Sequence, residues 1–89
     1  ALVRGDAAQA LALYGEARET AAARGARRRE AVARFSMGSA LTQMNRHADA
    51  AAHLEEAYRF FSSHGYAREA RQTQSLQVRG ARGRGDLAG

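Results

Sequence analysis

The three histidines, His47, His53 and His64, and four of the five serines, Ser36, Ser39, Ser62 and Ser63, are the side chains of this sequence considered first as ligands, bases or nucleophiles. No two histidines stand four apart, the spacing that sets two imidazoles on one helix face around a metal. No cysteine is present to complete a shell. His53 and Glu56 can meet at i, i+3, which is a surface pair rather than a site. None of the serines has a partner base at a recognisable spacing, and no nucleophile elbow, phosphate-cradling glycine loop or carboxylate dyad occurs. The expectation is a chain that is not an enzyme, with no metal and no cofactor.

Charge is the second source of chemistry. The 14 basic residues are all arginine and oppose nine acidic ones, for a net charge of +5. The guanidinium fork matches phosphates and carboxylates, so a nucleic-acid or acidic-peptide surface is one reading, and ordinary solvated faces are the other. Arg27-Arg28-Arg29 falls at an expected helix start, where the helix dipole disfavours cations, and that small penalty hints at use. The run RGARGRG at 79–85 lacks the interleaved aromatics of arginine-glycine RNA-binding segments. The Arg-Gly-Asp triplets at 4–6 and 84–86 are related by the spacing described next, and read as one recurring turn.

The elements that must position these groups are organised around residues 38–58, a helix end, a short turn and a helix start. Ala50, Leu54 and Ala57 keep the i, i+4, i+7 spacing of one helix face, with Gly38 and Ala50 as close-approach positions and Leu41 beside them. Ala10, Tyr14 and Ala17 repeat that face 40 positions earlier, and Gly25 and Gly65 stand at the same interval. A fixed period of this size signals stacked helices. The two triplets of residues are expected in like environments. Helices are predicted from Asp6, as N-cap, to about Arg24, from Ala26 to Met44, from His47 to Ser63 and from Tyr66 to about Arg79. Gly80, Gly83, Gly85 and Gly89 then predict fraying from about Gly80 onward.

Gly38, Leu41, Ala50, Leu54 and Ala57 resemble the pattern of the tetratricopeptide-repeat family, in a variant longer than the commonest 34 residues. Arg34 stands where that family has a large apolar residue, and Ser62 where a proline often closes the unit. The resemblance implies an all-α fold of antiparallel helix pairs stacked as a right-handed α-solenoid fragment of about four helices. Residues 6–24 would be the second helix of one repeat, 26–65 a complete pair, 66–80 the first helix of the next, and 81–89 a turn or frayed tail. It also implies a concave groove formed by the first helix of each unit. Carried over by position, the groove residues would be Val32, Phe35, Ser36, Ser39, Thr42 and Gln43, joined by Gln72, Ser75, Arg79 and Arg82. The lysine and asparagine that clamp a C-terminal carboxylate in some members are replaced by Phe35 and Ser39, so that clamp is not expected; the apolar Phe35 and the arginine rim at Arg79 and Arg82 instead imply a peptide or partner helix that is amphipathic with some acidic character. The alanine-arginine style is similar to repeat arrays of actinobacterial multidomain regulators.

Length and composition bound what is left. An 89-residue chain forms one small domain, and its apolar residues are mostly alanine, so helices must be held by close backbone approach. No run of about 20 apolar residues suits a membrane span, and a cytoplasmic setting is expected. The pattern starts and stops within a repeat, which predicts self-association through exposed repeat ends. The leading expectation is a protein-interaction scaffold. A basic nucleic-acid-associated module of a transcription regulator and an all-helical homodimerisation domain are the alternatives.

Overall fold

Three residues with left-handed backbone divide the chain: Gly25 (φ 68°), Asn45 (φ 62°) and Gly65 (φ 78°). Glycine, and asparagine after it, tolerate this conformation, which turns a helix end back on itself. The same bond closes each turn. The amide of Ala26 donates to the Ala21 carbonyl (2.8 Å), that of Arg46 to Leu41 (2.9 Å) and that of Tyr66 to Phe61 (2.8 Å). This is the long hydrogen bond of a Schellman motif, and all three accepting residues are buried. Between the turns nothing stops an alanine-rich chain without proline from staying helical.

The computed structural model describes residues 4–83, with side chains from Asp6 to Ala81. Four helices pack in sequence: α1 Arg4–Ala23, α2 Arg27–Gln43, α3 His47–Ser63 and α4 Ala67–Gly83. No strand occurs among the described residues. The latter three have 17 residues each, so the 40-residue period is two equal steps, a half-period that the residue identities conceal. The backbones of α2 and α4 approach one another and those of α1 and α3 do not. The result is an all-helical, two-layer stack with α2 between its neighbours.

The core lies between α2 and α3. Ala31, Ala57 and Phe61 form one buried cluster with Phe35, Phe60, Tyr66 and Ala70 around it. Leu41, Ala50 and Leu54 form a second, reached by Leu11 from α1 and Leu76 from α4. Phe35 touches both and joins them. Burying Phe61 and Leu54 contributes about 1.5–3 kcal/mol each. Between the clusters the helices are as close as they can come. A Cβ at Gly38 would lie 2.5 Å from Leu54 Cδ2 and 2.6 Å from its Cγ.

Several expectations need correction. Asp6 is inside the first turn of α1, not its N-cap, because the helix already runs at Arg4. The helical backbone of α4 runs to Gly83, past the predicted end near Arg79. Gly80 is buried in the place Ala40 holds one period earlier, and a Cβ there would meet only His47 Nδ1, at an ordinary 3.9 Å. Residues 84–89 of the predicted tail lie outside the described residues. The two equivalent faces are also unlike: Ala50, Leu54 and Ala57 are buried, whereas Ala10 is half-buried and Tyr14 and Ala17 are exposed. The reason is neighbours. Among the described residues, helix α3 is packed between α2 and α4, whereas the backbone of α1 approaches only that of α2.

Candidate docking cleft

The sequence-predicted groove residues do not form one surface. Phe35 belongs to the core described above, because the side of α2 that carries it packs against α3. Thr42 is 7% exposed, and its Oγ1 donates to the Gly38 carbonyl (2.8 Å), so it is satisfied inside its own helix. Gln72 and Ser75 share a shallow depression of about 330 Å³ with Arg68 and Arg71. Val32 and Ser36 face another cleft altogether. Ser39 is half-buried, Gln43 and Arg79 are exposed, and the side chain of Arg82 lies outside the described residues.

The cleft that holds Val32 lies between α1 and α2 and has a volume of about 560 Å³. Its floor is Ala17, Ala21, Ala26 and Ala33, with Tyr14, Thr20 and Ser36 along the walls. Two of the large exposed apolar side chains of the molecule, Tyr14 (38%) and Val32 (41%), line it together. Arg24, Arg28 and Arg29 stand around it, and no carboxylate is among its lining residues. Arg28 reaches towards α4, where it meets Glu69 at 3.6 Å and lies 5.4 Å from the centre of the Tyr66 ring. Arg24 and Arg29 have no ion-pair partner among the described residues. An apolar trough with uncompensated cations at its edge favours an apolar group that carries negative charge beside it.

Sequence reasoning missed Tyr14, Arg24, Arg28 and Arg29 as members of one site. The signal for the last two was present in the arginine run at a helix start. The spacing puts Tyr14 on the packed face of α1, and its counterpart Leu54 does occupy that face in α3.

A second cleft, of about 520 Å³ between α3 and α4, is lined by His47, Leu54, Glu55, Tyr58, Arg59, Gln74 and Gln77, among others. Its arginine is already paired, with Glu55 at 2.7 Å. On the edge of α3 that faces α1, His53 is held below its ordinary pKa by burial first, and then by Arg34 and Arg18, with Asp49 opposing. His53 Nδ1 and Arg18 Nε are buried and find no hydrogen-bond partner among the described residues. No group of three or more metal-ligating side chains comes together, and no helix is long and apolar enough to cross a membrane, among the described residues.

Comparison with protein-family models, with curated proteins and with solved structures finds no match for this chain.

Proposed function

We propose that the chain is a non-catalytic protein-interaction module of the tetratricopeptide-repeat kind, working in the cytoplasm as part of a regulatory protein, and that it docks an acidic, amphipathic partner segment. The observation that carries this reading is the α1–α2 cleft, where Tyr14 and Val32 are exposed over an alanine floor and Arg24 and Arg29 are uncompensated. The resemblance of Gly38, Leu41, Ala50, Leu54 and Ala57 to the family, and the four sequentially packed helices, support it further. In this reading the groove lies beside α1 rather than along Phe35 and Thr42.

The test is a titration of the isotope-labelled chain with a helical peptide bearing glutamates on one face and phenylalanine on the other. Amide shifts should centre on Tyr14, Val32 and Ala33, and Val32→Glu should weaken binding at least about tenfold, as loss of an apolar anchor does. A single-stranded oligonucleotide that shifts the same amides, with affinity falling steeply as salt rises, would replace this reading with the nucleic-acid one. Dimerisation of the chain that is abolished by Val32→Glu would replace it with the homodimer one.

A further inference from the structure

The net charge of the molecule is gathered at one edge. The turns at Gly25 and Gly65, with the helix ends beside them (residues 20–30 and 60–70), carry five arginines and two glutamates. Elsewhere among the described side chains, six arginines and six acidic residues cancel. Both glutamates of the edge are engaged, Glu30 with Arg34 and Glu69 with Arg28, each at 3.6 Å. Arg24, Arg27, Arg29 and Arg68 are exposed and have no ion-pair partner among the described residues. Helix stability does not account for this placement. Arg27, Arg28, Arg29 and Arg68 stand in the first turns of α2 and α4, where the helix dipole opposes cations. The last turns of α1 and α3, where it would favour them, hold none.

The same edge carries stacked flat groups. Phe60 stacks on Tyr66 (centroids 5.9 Å apart, 16° between planes) and on His64 (4.1 Å, 21°), and Arg28 lies 5.4 Å from the centre of the Tyr66 ring. Phe60 and Tyr66 are half-buried. His64 is exposed, covered on one face by Phe60 and stacked by no other ring among the described residues. Its Nδ1 donates to the Phe60 carbonyl (2.9 Å), which fixes the imidazole in the stack. Arg27 lines a depression of about 170 Å³ with Phe60, where the glutamates Glu30 and Glu56 are met by Arg34 and Arg59 at 3.6 and 4.0 Å. Arg68 follows His64 by four residues, across the turn. This edge crosses the turns and not the helix flanks. Helices packed on the flank of α1 or of α4 would lengthen it and leave it uncovered.

We infer that this edge binds single-stranded nucleic acid, with an unpaired base stacked on the open face of His64 and the flanking phosphates held by Arg27 and Arg68. A free aromatic face beside unpaired guanidinium groups suits this ligand, because every base has a π-face and every linkage a phosphate. An acidic peptide would satisfy the arginines and leave the imidazole face bare. A duplex keeps its bases stacked inside, out of reach of that face. His64, Arg27 and Arg68 do not line the α1–α2 cleft, so this surface goes beyond the docking reading and does not rest on it.

The probe is a fluorescent oligothymidine of about 12 nucleotides, titrated by anisotropy against the 89-residue chain. Salt is varied between about 50 and 200 mM, and amide shifts locate the contact. Shifts are expected at Arg27, His64 and Arg68 and not at Tyr14 and Val32. Arg27→Gln and Arg68→Gln should each flatten the plot of log affinity against log salt by about 0.7. His64→Ala should weaken binding at least about fivefold at every salt concentration with the slope unchanged, and His64→Phe should keep the affinity. No binding at the lowest salt would overturn the inference, and so would an unchanged affinity in His64→Ala, which leaves charge alone. An oligoglutamate of the same length bound as tightly would assign the edge to an acidic protein instead. A duplex bound as tightly would overturn the choice of a single strand. Shifts confined to Tyr14 and Val32 would overturn this inference and replace the docking reading as well.

Discussion

Gly38→Ala tests the close approach on which the core is built. In an open helix interior this substitution stabilises by about 0.8–1.0 kcal/mol, the propensity difference between the two residues. At Gly38 the new methyl would stand 2.5 Å and 2.6 Å from Leu54 Cδ2 and Cγ, where carbon atoms prefer about 3.5–4.0 Å. Leu54 has to retreat by roughly 1 Å. It is 1% exposed, against Leu41 and Ala50, and has nowhere to go. Overpacking of this kind costs about 1–3 kcal/mol, so the net change is a loss of up to about 2 kcal/mol. Gly15→Ala is the internal control, because a Cβ there meets no atom within 4 Å and only the propensity gain remains. The two variants should differ by the overpacking cost alone. At about 4–8 °C per kcal/mol for a domain of this size, their melting temperatures should differ by roughly 10 °C. Circular dichroism at the helix band, with heat and with urea, reads this directly. In a Leu54→Ala background, itself less stable by about 2–5 kcal/mol, Gly38→Ala should become stabilising, since the obstructing atoms are gone. If Gly38→Ala melts level with Gly15→Ala, or if Leu54→Ala leaves its effect unchanged, the backbones do not meet as described.

Other outcomes follow from single features. Asn45→Ala places an alanine in left-handed backbone and should cost about 1–2 kcal/mol, whereas Asn45→Gly should be neutral or stabilising; urea midpoints decide this. His53 has a lowered pKa in the fold, so the unfolded chain takes up its proton first. Stability should be fully present above the ordinary value of 6.5 and decline as pH falls from there towards the folded-state value. Thermal melts between pH 7.5 and 5.0 should show that slope, His53→Gln should flatten it, and an unchanged slope would mean the titration belongs elsewhere. Thr73 is fully buried with its hydroxyl donating to the Glu69 carbonyl at 2.8 Å, so Thr73→Val should be close to neutral in a urea melt while Thr73→Arg should detach α4 from α3.

The helices were legible because their causes are local. Gly25 and Gly65 stop the chain where only left-handed backbone continues it, and the alanine spacing shows which residues share a face. Asn45 makes the third turn just as well, but an asparagine in a polar stretch gives a weaker signal than glycine. The candidate site was less legible for a physical reason. Phe35 looks the same in sequence whether it faces a groove or joins two core clusters, and only the approach of α3 along Gly38 puts it inside. Comparing the two halves position by position does reveal the cleft, since Thr20, Ala21 and Ala26 stand where Phe60, Phe61 and Tyr66 stand later.

From its sequence alone this protein is an all-helical chain with turns at about 25, 45 and 65, because helix propensity and tolerance of positive φ belong to individual residues. Burial does not belong to them. Leu54 and Tyr14 hold equivalent positions and differ in exposure, since among the described residues α3 is packed between two helices while the backbone of α1 approaches only α2. Tertiary packing alone decided which side of α2 is core and where apolar surface lies beside arginines that have no ion-pair partner among the described residues.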